Sequence, residues 1–290
     1  MPSESRRQPA LEAPVETLAA AVSALDAAAR KRTTPCGDGV MVWRVWGTGA
    51  PVVLLHGGYG SWTHWIRTIP ELSQHYELWV PDMPGLGSSA TPPERTPPGV
   101  AQVVAAGLSG IFPPGAGARL VGFSFGGHVA TLAAAQVGDR LRSLTLIGVA
   151  ALGLKPEPRE PFIKERTGMS SEERAQVHRR NLEILMFADP ANIDPMAVYL
   201  QAENVRRARF HSRAFAGSDA IARTLPQVAV PLKTVWGTRD AIARPSLQAR
   251  LDILRRHHRE LEARLIEGAG HWVMYEAADA FSAALIELLR

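Results

Sequence analysis

The sequence has a single cysteine, Cys36, among 290 residues, so no disulfide can form within the chain. It also has no apolar run close to the ~20 residues that span a bilayer. Charged residues interrupt the N-terminal region at Glu12, Glu16 and Asp26, so no signal peptide is predicted. These absences predict a cytoplasmic protein that does not enter a membrane, with Cys36 as a small buried or strand residue.

Lysine is scarce as well, so almost all of the positive charge is carried by arginine, and the net charge is +4. No basic run is interleaved with aromatic residues, which argues against nucleic-acid binding. The sequence lacks the Cys/His spacing of a metal site and lacks a glycine-rich phosphate loop with a lysine. We therefore expect no metal, no cofactor and no nucleic-acid partner.

Apolar runs of strand length alternate with helical patterns along most of the chain. Strands are predicted at residues 40–46, 52–55, 76–80, 118–123, 142–147, 234–236 and 265–266. Helices are predicted at residues 62–72, 99–112, 125–137, 245–257 and 276–289. This order predicts an α/β fold with a mostly parallel sheet that helices cover on both faces.

The alternation breaks at about residue 152, where a proline-rich stretch begins. Ser170 and Glu173 form a capping-box pattern that predicts a helix to about residue 187. Asp194-Pro195 predicts the start of a second helix, which runs to about residue 211. Residues 152–225 are thus predicted to be a helical insertion in a core made of residues 33–151 and 226–290.

The first 32 residues are predicted to be an extension of this core. Residues 1–12 are polar and are expected to be disordered. Residues 14–31 form an amphipathic pattern with an apolar stripe of Val15, Leu18, Val22, Leu25 and Ala29. We expect this helix to pack on the core, and the alternative is a dimerisation helix in a homodimer.

The pattern Gly122-Phe123-Ser124-Phe125-Gly126 lies where a predicted strand turns into a helix. A serine on such a sharp turn holds its hydroxyl above the edge of the sheet, and the glycines leave room for the neighbouring backbone. The N–H groups at the start of the following helix point at the same place, where they can stabilise a developing negative charge. The pattern predicts that Ser124 is a nucleophile.

Two more reactive side chains follow late strands, Asp240 after residues 234–236 and His271 after residues 265–266. A serine hydroxyl needs a base to become nucleophilic, and an imidazole titrates in the right range. A carboxylate can hold that imidazole in the required tautomer. Ser124, Asp240 and His271 are therefore the predicted catalytic residues, in the chain order Ser, Asp, His.

The chain after Thr33 resembles the α/β-hydrolase superfamily of serine hydrolases. The resemblance rests on five ordered motifs: His56-Gly57-Gly58, Asp82-Met83-Pro84-Gly85-Leu86-Gly87-Ser88, Gly122-Phe123-Ser124-Phe125-Gly126-Gly127, Trp236-Gly237-Thr238-Arg239-Asp240 and Gly270-His271-Trp272. It implies the α/β-hydrolase fold, with residues 152–225 as a helical cap over the active site. It also implies an oxyanion hole made by the backbone N–H groups of Gly58 and Phe125.

The sharp turn at Gly122–Gly126, called the nucleophile elbow in this superfamily, carries a serine. This chain therefore differs from the family members with aspartate there, which open epoxides or cleave carbon–halogen bonds. His56-Gly57-Gly58 and His271-Trp272 give a partial resemblance to hydrolases that cleave a carbon–carbon bond in aromatic ring-fission products. That branch carries extra polar residues after the His-Gly-Gly and a cap arginine that binds a carboxylate. Here Tyr59 and Gly60 follow, and the cap offers four arginines without a clear match: Arg206, Arg207, Arg209 and Arg213.

The substrate is expected to be a small molecule that binds between cap and core. The predicted substrate-binding residues are Trp62, Phe123, Met186 and Trp272, which indicate an apolar pocket. The sequence favours a serine hydrolase that forms an acyl-enzyme on small apolar carboxylic esters. The alternatives are a carbon–carbon hydrolase of vinylogous diketo acids, a cofactor-free perhydrolase and a ligand sensor with the hydrolase fold.

Overall fold

The protein is described by a computed structural model of residues 14–155 and 157–290, with backbone alone at Arg213. Residues 1–12, which are predicted to be disordered, lie outside these ranges, as does Pro156 of the proline-rich stretch. No helix within the described ranges is both long enough and apolar enough to cross a membrane.

Eight strands form one sheet in the order β1-β2-β4-β3-β5-β6-β7-β8. Their bounds are β1 Arg30–Cys36, β2 Gly39–Trp46, β3 Pro51–Leu55, β4 Glu77–Pro81, β5 Ala118–Phe123, β6 Leu141–Ile147, β7 Leu232–Gly237 and β8 Glu262–Ile266. The β2 strand pairs antiparallel with β1 and with β4, and every other pairing is parallel. The predicted α/β-hydrolase fold with a mostly parallel sheet is confirmed.

Ten α-helices connect and cover the strands within the described residues. They are α1 Val15–Ala27, α2 Ile69–Leu72, α3 Pro97–Ile111, α4 Phe125–Val137, α5 Ser171–Leu185, α6 Pro195–Arg207, α7 Ala220–Thr224, α8 Leu247–His257, α9 Val273–Glu276 and α10 Ala278–Leu289. The predicted helix at 62–72 is instead a 3₁₀ turn, Trp62–Trp65, followed by α2, where Pro70 lies in the first turn. Proline is tolerated there because the first-turn N–H has no partner inside the helix.

Strand β3 is a continuous apolar run because both of its faces are buried. Side chains alternate between the two faces of a strand, and here Val53 and Leu55 enter one apolar core while Val52 and Leu54 enter the other. Both cores are closed by helices, so both faces of the sheet exclude water. The ends of the parallel strands are thereby fixed relative to one another, and the candidate catalytic residues follow three of those ends.

The N-terminal region differs from its prediction. Helix α1 ends at Ala27, and residues 30–36 are the edge strand β1, which crosses the predicted boundary at residue 32. The helix packs on its own chain, since the Trp46 indole Nε1 donates to the Leu25 carbonyl at 3.1 Å. Cys36 is buried at the end of β1, as predicted, and its Sγ donates to the Ala90 carbonyl at 3.2 Å.

The segment 152–225 lies between β6 and β7 and contains helices α5, α6 and α7. The predicted capping box is present, because Ser170 Oγ accepts from the Glu173 N–H and the Glu173 carboxylate accepts from the Ser170 N–H. Helix α6 ends at Arg207, four residues before its predicted end. Buried Asn204 ties α6 to the loop after β3, where its Nδ2 donates to Thr63 Oγ1 at 3.0 Å.

Candidate active site

Ser124 lies between β5 and α4 with φ +52° and ψ −117°, a strained conformation for a residue other than glycine. The flanking glycines allow this turn. A Cβ on Gly122 would lie 2.5 Å from the Gly126 carbonyl oxygen, and a Cβ on Gly126 would lie 2.4 Å from the Leu55 carbonyl oxygen. The sequence pattern therefore produces the predicted elbow, with the Ser124 side chain at the carboxyl end of the sheet.

His271 joins Ser124 to Asp240 through hydrogen bonds at both ring nitrogens. Its Nδ1 lies 3.0 Å from Asp240 Oδ1 and 3.0 Å from Oδ2, and its Nε2 lies 3.0 Å from Ser124 Oγ. An ionised carboxylate only accepts, so Nδ1 carries the ring proton and Nε2 is the acceptor for the serine hydroxyl. This tautomer is the one in which the imidazole can take a proton from Ser124.

Backbone bonds hold the two partners of Ser124 in place. Asp240 follows β7 and accepts the Ile242 N–H at 2.7 Å, while His271 follows β8 in a loop that Glu276 fixes by accepting the Gly270 N–H at 2.7 Å. Asp240 and His271 are both 2% exposed. Because water is excluded, their mutual attraction is screened less than in bulk solvent.

The predicted oxyanion residues Gly58 and Phe125 are neighbours beside Ser124. Phe125 is the first residue of α4, and the first N–H groups of a helix have no partner inside it. A Cβ on Gly58 would lie 3.5 Å from the Phe125 Cβ, and both residues line the same cavity as Ser124 and His271. The two residues thus lie together at the cavity, and their role as oxyanion donors stays a prediction.

Two buried histidines fix the loop that carries Gly58. His56 Nε2 accepts the Met83 N–H at 2.9 Å, and His64 Nδ1 accepts the Gly57 N–H at 3.2 Å. Burial lowers the pKa of both imidazoles, most strongly that of His64. Neutral rings are required here, because a protonated nitrogen could not accept these bonds.

A cavity of about 160 Å³ opens at Ser124 between the sheet and the 152–225 segment. A dry engineered cavity of roughly 150 Å³ holds one benzene molecule, so this one suits a group the size of a single ring. Its apolar walls include two predicted substrate-binding residues, Phe123 and Met186, and also Leu185, Phe215 and Ile242. The 152–225 segment supplies Met186, Leu185 and Phe215.

Two predicted substrate-binding residues, Trp62 and Trp272, do not line this cavity, and their role stays a prediction. The Trp62 ring packs on Trp46 with centroids 5.4 Å apart, away from Ser124. Trp272 is 1% exposed and its Nε1 donates to the His64 carbonyl at 2.9 Å. Both rings belong to the apolar core on one face of the sheet, where burial of their large surface is favourable.

Of the four arginines considered from the sequence, the three whose side chains the structure describes do not line the cavity. Arg206 and Arg207 pair with Glu203 at the surface, and Arg209 binds backbone carbonyls of the 82–90 loop. The side chain of Arg213 lies outside the described atoms. The cavity is instead lined by Arg159, which the sequence analysis missed. Its only signal was its position in the proline-rich stretch before α5.

His128, one helical turn after Ser124, is buried and lines the cavity. Burial lowers the pKa of its imidazole from 6.5 to about 4. As the pH falls through 6.5 the unfolded chain gains a proton at this position, and the folded chain does not until about pH 4. The folded state therefore loses up to about 3 kcal/mol of stability across that interval.

Replacing His128 with leucine is expected to reduce this acid sensitivity. The measurement is the free energy of unfolding in urea at pH 7 and at pH 4.5, for the parent and for His128→Leu. The parent should lose more stability between the two pH values than the variant does. Equal losses would show that His128 does not carry a lowered pKa in the folded state.

Comparison with known proteins identifies the family of the chain. An acetyltransferase component of an acetoin cleaving system from Pseudomonas putida is 30% identical over 83% of this chain, which spans 64% of that protein's length. A 2-hydroxy-6-oxo-6-phenylhexa-2,4-dienoate hydrolase from Comamonas testosteroni is 28% identical over 84% of this chain and 89% of the relative. A pimeloyl-[acyl-carrier protein] methyl ester esterase from Vibrio cholerae is 24% identical over 85% and 97% of the two chains.

The solved structure of a thermophilic esterase from Thermogutta terrifontis has the same fold, with a TM-score of 0.65 and 24% identity over 90% of this chain and 98% of the other. A profile of the alpha/beta hydrolase family matches residues 52–284, from β3 into α10. This match covers the elbow, both late loops and the intervening helical segment. The chain therefore belongs to the alpha/beta hydrolase family.

Proposed function

We propose that the protein is a serine hydrolase of small, largely apolar carboxylic esters. The observation that carries the proposal is the 3.0 Å contact of Ser124 Oγ with His271 Nε2, in a ring whose Nδ1 is held by Asp240. Among the family's chemistries, this arrangement supports covalent catalysis by a serine.

The reaction begins when Ser124 Oγ attacks the carbonyl carbon of the ester and its proton passes to His271 Nε2. The carbonyl oxygen becomes an oxyanion that accepts bonds from the N–H groups of Gly58 and Phe125. The imidazolium then gives its proton to the departing alkoxide, and the acyl group stays on Ser124. A water molecule then attacks the acyl carbon as it loses a proton to His271. The bond between that carbon and Ser124 Oγ breaks, His271 returns the proton to Oγ, and the carboxylic acid leaves.

The cavity supports a neutral acyl or aryl group of modest size. Its volume of about 160 Å³ accommodates roughly one ring, and its walls are mainly aliphatic and aromatic. The relative from Vibrio cholerae is named a methyl ester esterase, which is consistent with ester cleavage on this scaffold. A long acyl chain would need to leave the cavity toward solvent.

The second candidate is cleavage of a carbon–carbon bond in a vinylogous diketo acid. Arg159 favours it, because a guanidinium at the cavity can bind the substrate carboxylate in two parallel hydrogen bonds. Partial burial lowers the pKa of Arg159, and the nearby Asp240 carboxylate partly offsets this effect. The relative from Comamonas testosteroni is named as a hydrolase of such an acid.

Replacing Arg159 with methionine separates the two candidates. We expect kcat/KM for p-nitrophenyl butyrate to stay within about threefold of the parent, because a neutral ester offers no charge to the guanidinium. A diketo-acid hydrolase would show a KM for a phenyl dienone acid raised about tenfold or more, since a bond to a charged group contributes about 1.5–3 kcal/mol. The measurement is steady-state kinetics on both substrates.

The control is Arg206→Met, which removes an exposed arginine paired with Glu203 at the surface. It should leave both substrates unaffected. Efficient cleavage of the dienone acid that depends on Arg159 and not on Arg206 would replace the ester proposal with the carbon–carbon one.

A further inference from the structure

Residues 209–215, hereafter the 209–215 segment, follow α6 and lie directly on the loops that form the candidate oxyanion hole. The Arg209 N–H donates to the Gly85 carbonyl at 2.8 Å, and its guanidinium donates to the carbonyls of Gly87 and Ser89. The start of the segment is therefore fixed to the loop after β4. Its position does not depend on a substrate.

Aromatic contacts fix the middle of the same segment. Phe210 is 2% exposed and stacks on Phe125 with ring centroids 5.2 Å apart and on Phe215 with centroids 6.2 Å apart. His211 Nδ1 lies 2.9 Å from the Tyr59 hydroxyl, next to Gly58 in sequence. The segment thus contacts Phe125 and the loop that carries Gly58, the two places from which oxyanion donors are expected.

These contacts of the 209–215 segment place Ser212 against Gly58. A Cβ on Gly58 would lie 2.0 Å from Ser212 Oγ and 3.5 Å from the Phe125 Cβ, so the hydroxyl lies against Gly58 on the side where Phe125 is also close. Ser212 is 7% exposed, and it lines the cavity together with Ser124. The small space that remains beside Gly58 is filled by a hydroxyl and not by an apolar side chain.

Among the residues that the structure describes, the Ser212 hydroxyl makes no hydrogen bond that would give it a structural role. Ser61, Ser170 and Ser246 also lie at the starts of helical turns, and each accepts a backbone N–H two or three residues later. Within the described residues no such bond, and no acceptor, is found for Ser212 Oγ. Ser212 Oγ is not among the enclosed polar atoms that lack a partner, so it opens to the cavity, where it is available to hydrogen-bond a bound ligand.

We propose that Ser212 is a further catalytic residue, whose hydroxyl donates a third hydrogen bond to the oxyanion formed on the substrate. This inference rests on the proposed function, since it concerns the same reaction at Ser124. The donor is a side chain from the 152–225 segment, whereas the other two are backbone groups of the core. The packing of that segment on the core is then required for full transition-state stabilisation.

Replacing Ser212 with alanine is the test. Loss of one oxyanion donor lowers kcat by about 10²–10³-fold, so we expect a fall in that range on p-nitrophenyl butyrate with KM within about threefold. Affinity for a transition-state analogue, an aryl trifluoromethyl ketone, should fall by the same factor as kcat/KM. Affinity for butyrate, a product that forms no oxyanion adduct, should not change.

The control is Ser218→Ala, which removes a hydroxyl that donates to the Phe215 carbonyl from a position outside the cavity. It should leave kcat and analogue binding unchanged. If Ser212→Ala does not fold, Ser212→Cys keeps the size of the side chain with a much weaker donor and carries the same expectation. Activity and analogue affinity within about threefold of the parent in the folded variant would overturn the proposal.

Labelling with a fluorophosphonate separates this proposal from the one on which it rests. If the parent protein is labelled at Ser124 and cleaves esters while Ser212→Ala keeps full analogue affinity, only the role of Ser212 is wrong. If the parent is neither labelled nor active on any ester, the proposed function itself fails. A fall in kcat with unchanged analogue affinity would also overturn the oxyanion role, because the analogue reports that contact directly.

Discussion

Replacing Ser124 with alanine is expected to lower kcat for ester hydrolysis by about four to six orders of magnitude. Without the Oγ nucleophile no acyl-enzyme can form, and His271 can then only assist attack by a water molecule. The oxyanion donors and the cavity remain, so a slow residual rate above that in water is expected. The measurement is kcat on p-nitrophenyl butyrate, with the thermal unfolding midpoint as a check of the fold.

The matched control is Ser246→Ala. Ser246 Oγ accepts the Ala249 N–H at the start of α8, so its loss costs about 1 kcal/mol of stability and leaves the chemistry intact. A folded Ser124→Ala variant that keeps more than about a tenth of the parent activity would contradict the assignment of Ser124 as the nucleophile. A change in the unfolding midpoint alone would not account for the expected loss.

Much of the fold could be predicted because the central strands are short, largely apolar and bounded by turn residues. Strand β5 was predicted at its observed bounds, and helix α4 follows it directly in both cases. Edge strand β1 was missed, since Arg30–Cys36 has charged and polar residues and only two buried positions, Thr34 and Cys36. Its pairing with β2 is a long-range contact that no local pattern of this kind reveals.

The candidate site, like the fold, could be predicted from the sequence only in part. The positions of Ser124, Asp240 and His271 follow from local turns after strands, so three short motifs were enough to bring them together. The direction of a side chain in a loop depends on what packs against it, so the inward-facing Trp62 and Trp272 could not be distinguished from cavity residues. Arg159 and Ser212 come from irregular parts of the 152–225 segment, where sequence has no periodicity to interpret.

The predicted cytoplasmic location, homodimer and cap domain stay predictions. Helix α1 contacts its own chain through Leu25 and Asp26, which favours the packed alternative to a dimerisation helix. Val15 at its start is 59% exposed and leaves part of the apolar stripe uncovered. Light scattering of the full chain would settle the oligomeric state independently of the catalytic tests.

Replacing His271 with alanine is expected to lower kcat nearly as much as the loss of Ser124, and Asp240→Asn by about ten-thousandfold. Without the imidazole, the Ser124 hydroxyl has no proton acceptor within reach, since His271 Nε2 is its partner at 3.0 Å. An asparagine at position 240 can present its NH₂ group to Nδ1, which favours the tautomer with the proton on Nε2. That tautomer cannot accept the proton of Ser124.

The double variant Ser124→Ala/His271→Ala tests whether these groups act as one unit. If His271 works only through Ser124, its removal from a chain without that hydroxyl should cost little, and the double variant should match Ser124→Ala within about tenfold. The measurement is the residual kcat of the parent, both single variants and the double variant on one activated ester. Losses that add in full would mean that His271 acts on the substrate independently of Ser124, and the shared mechanism would be wrong.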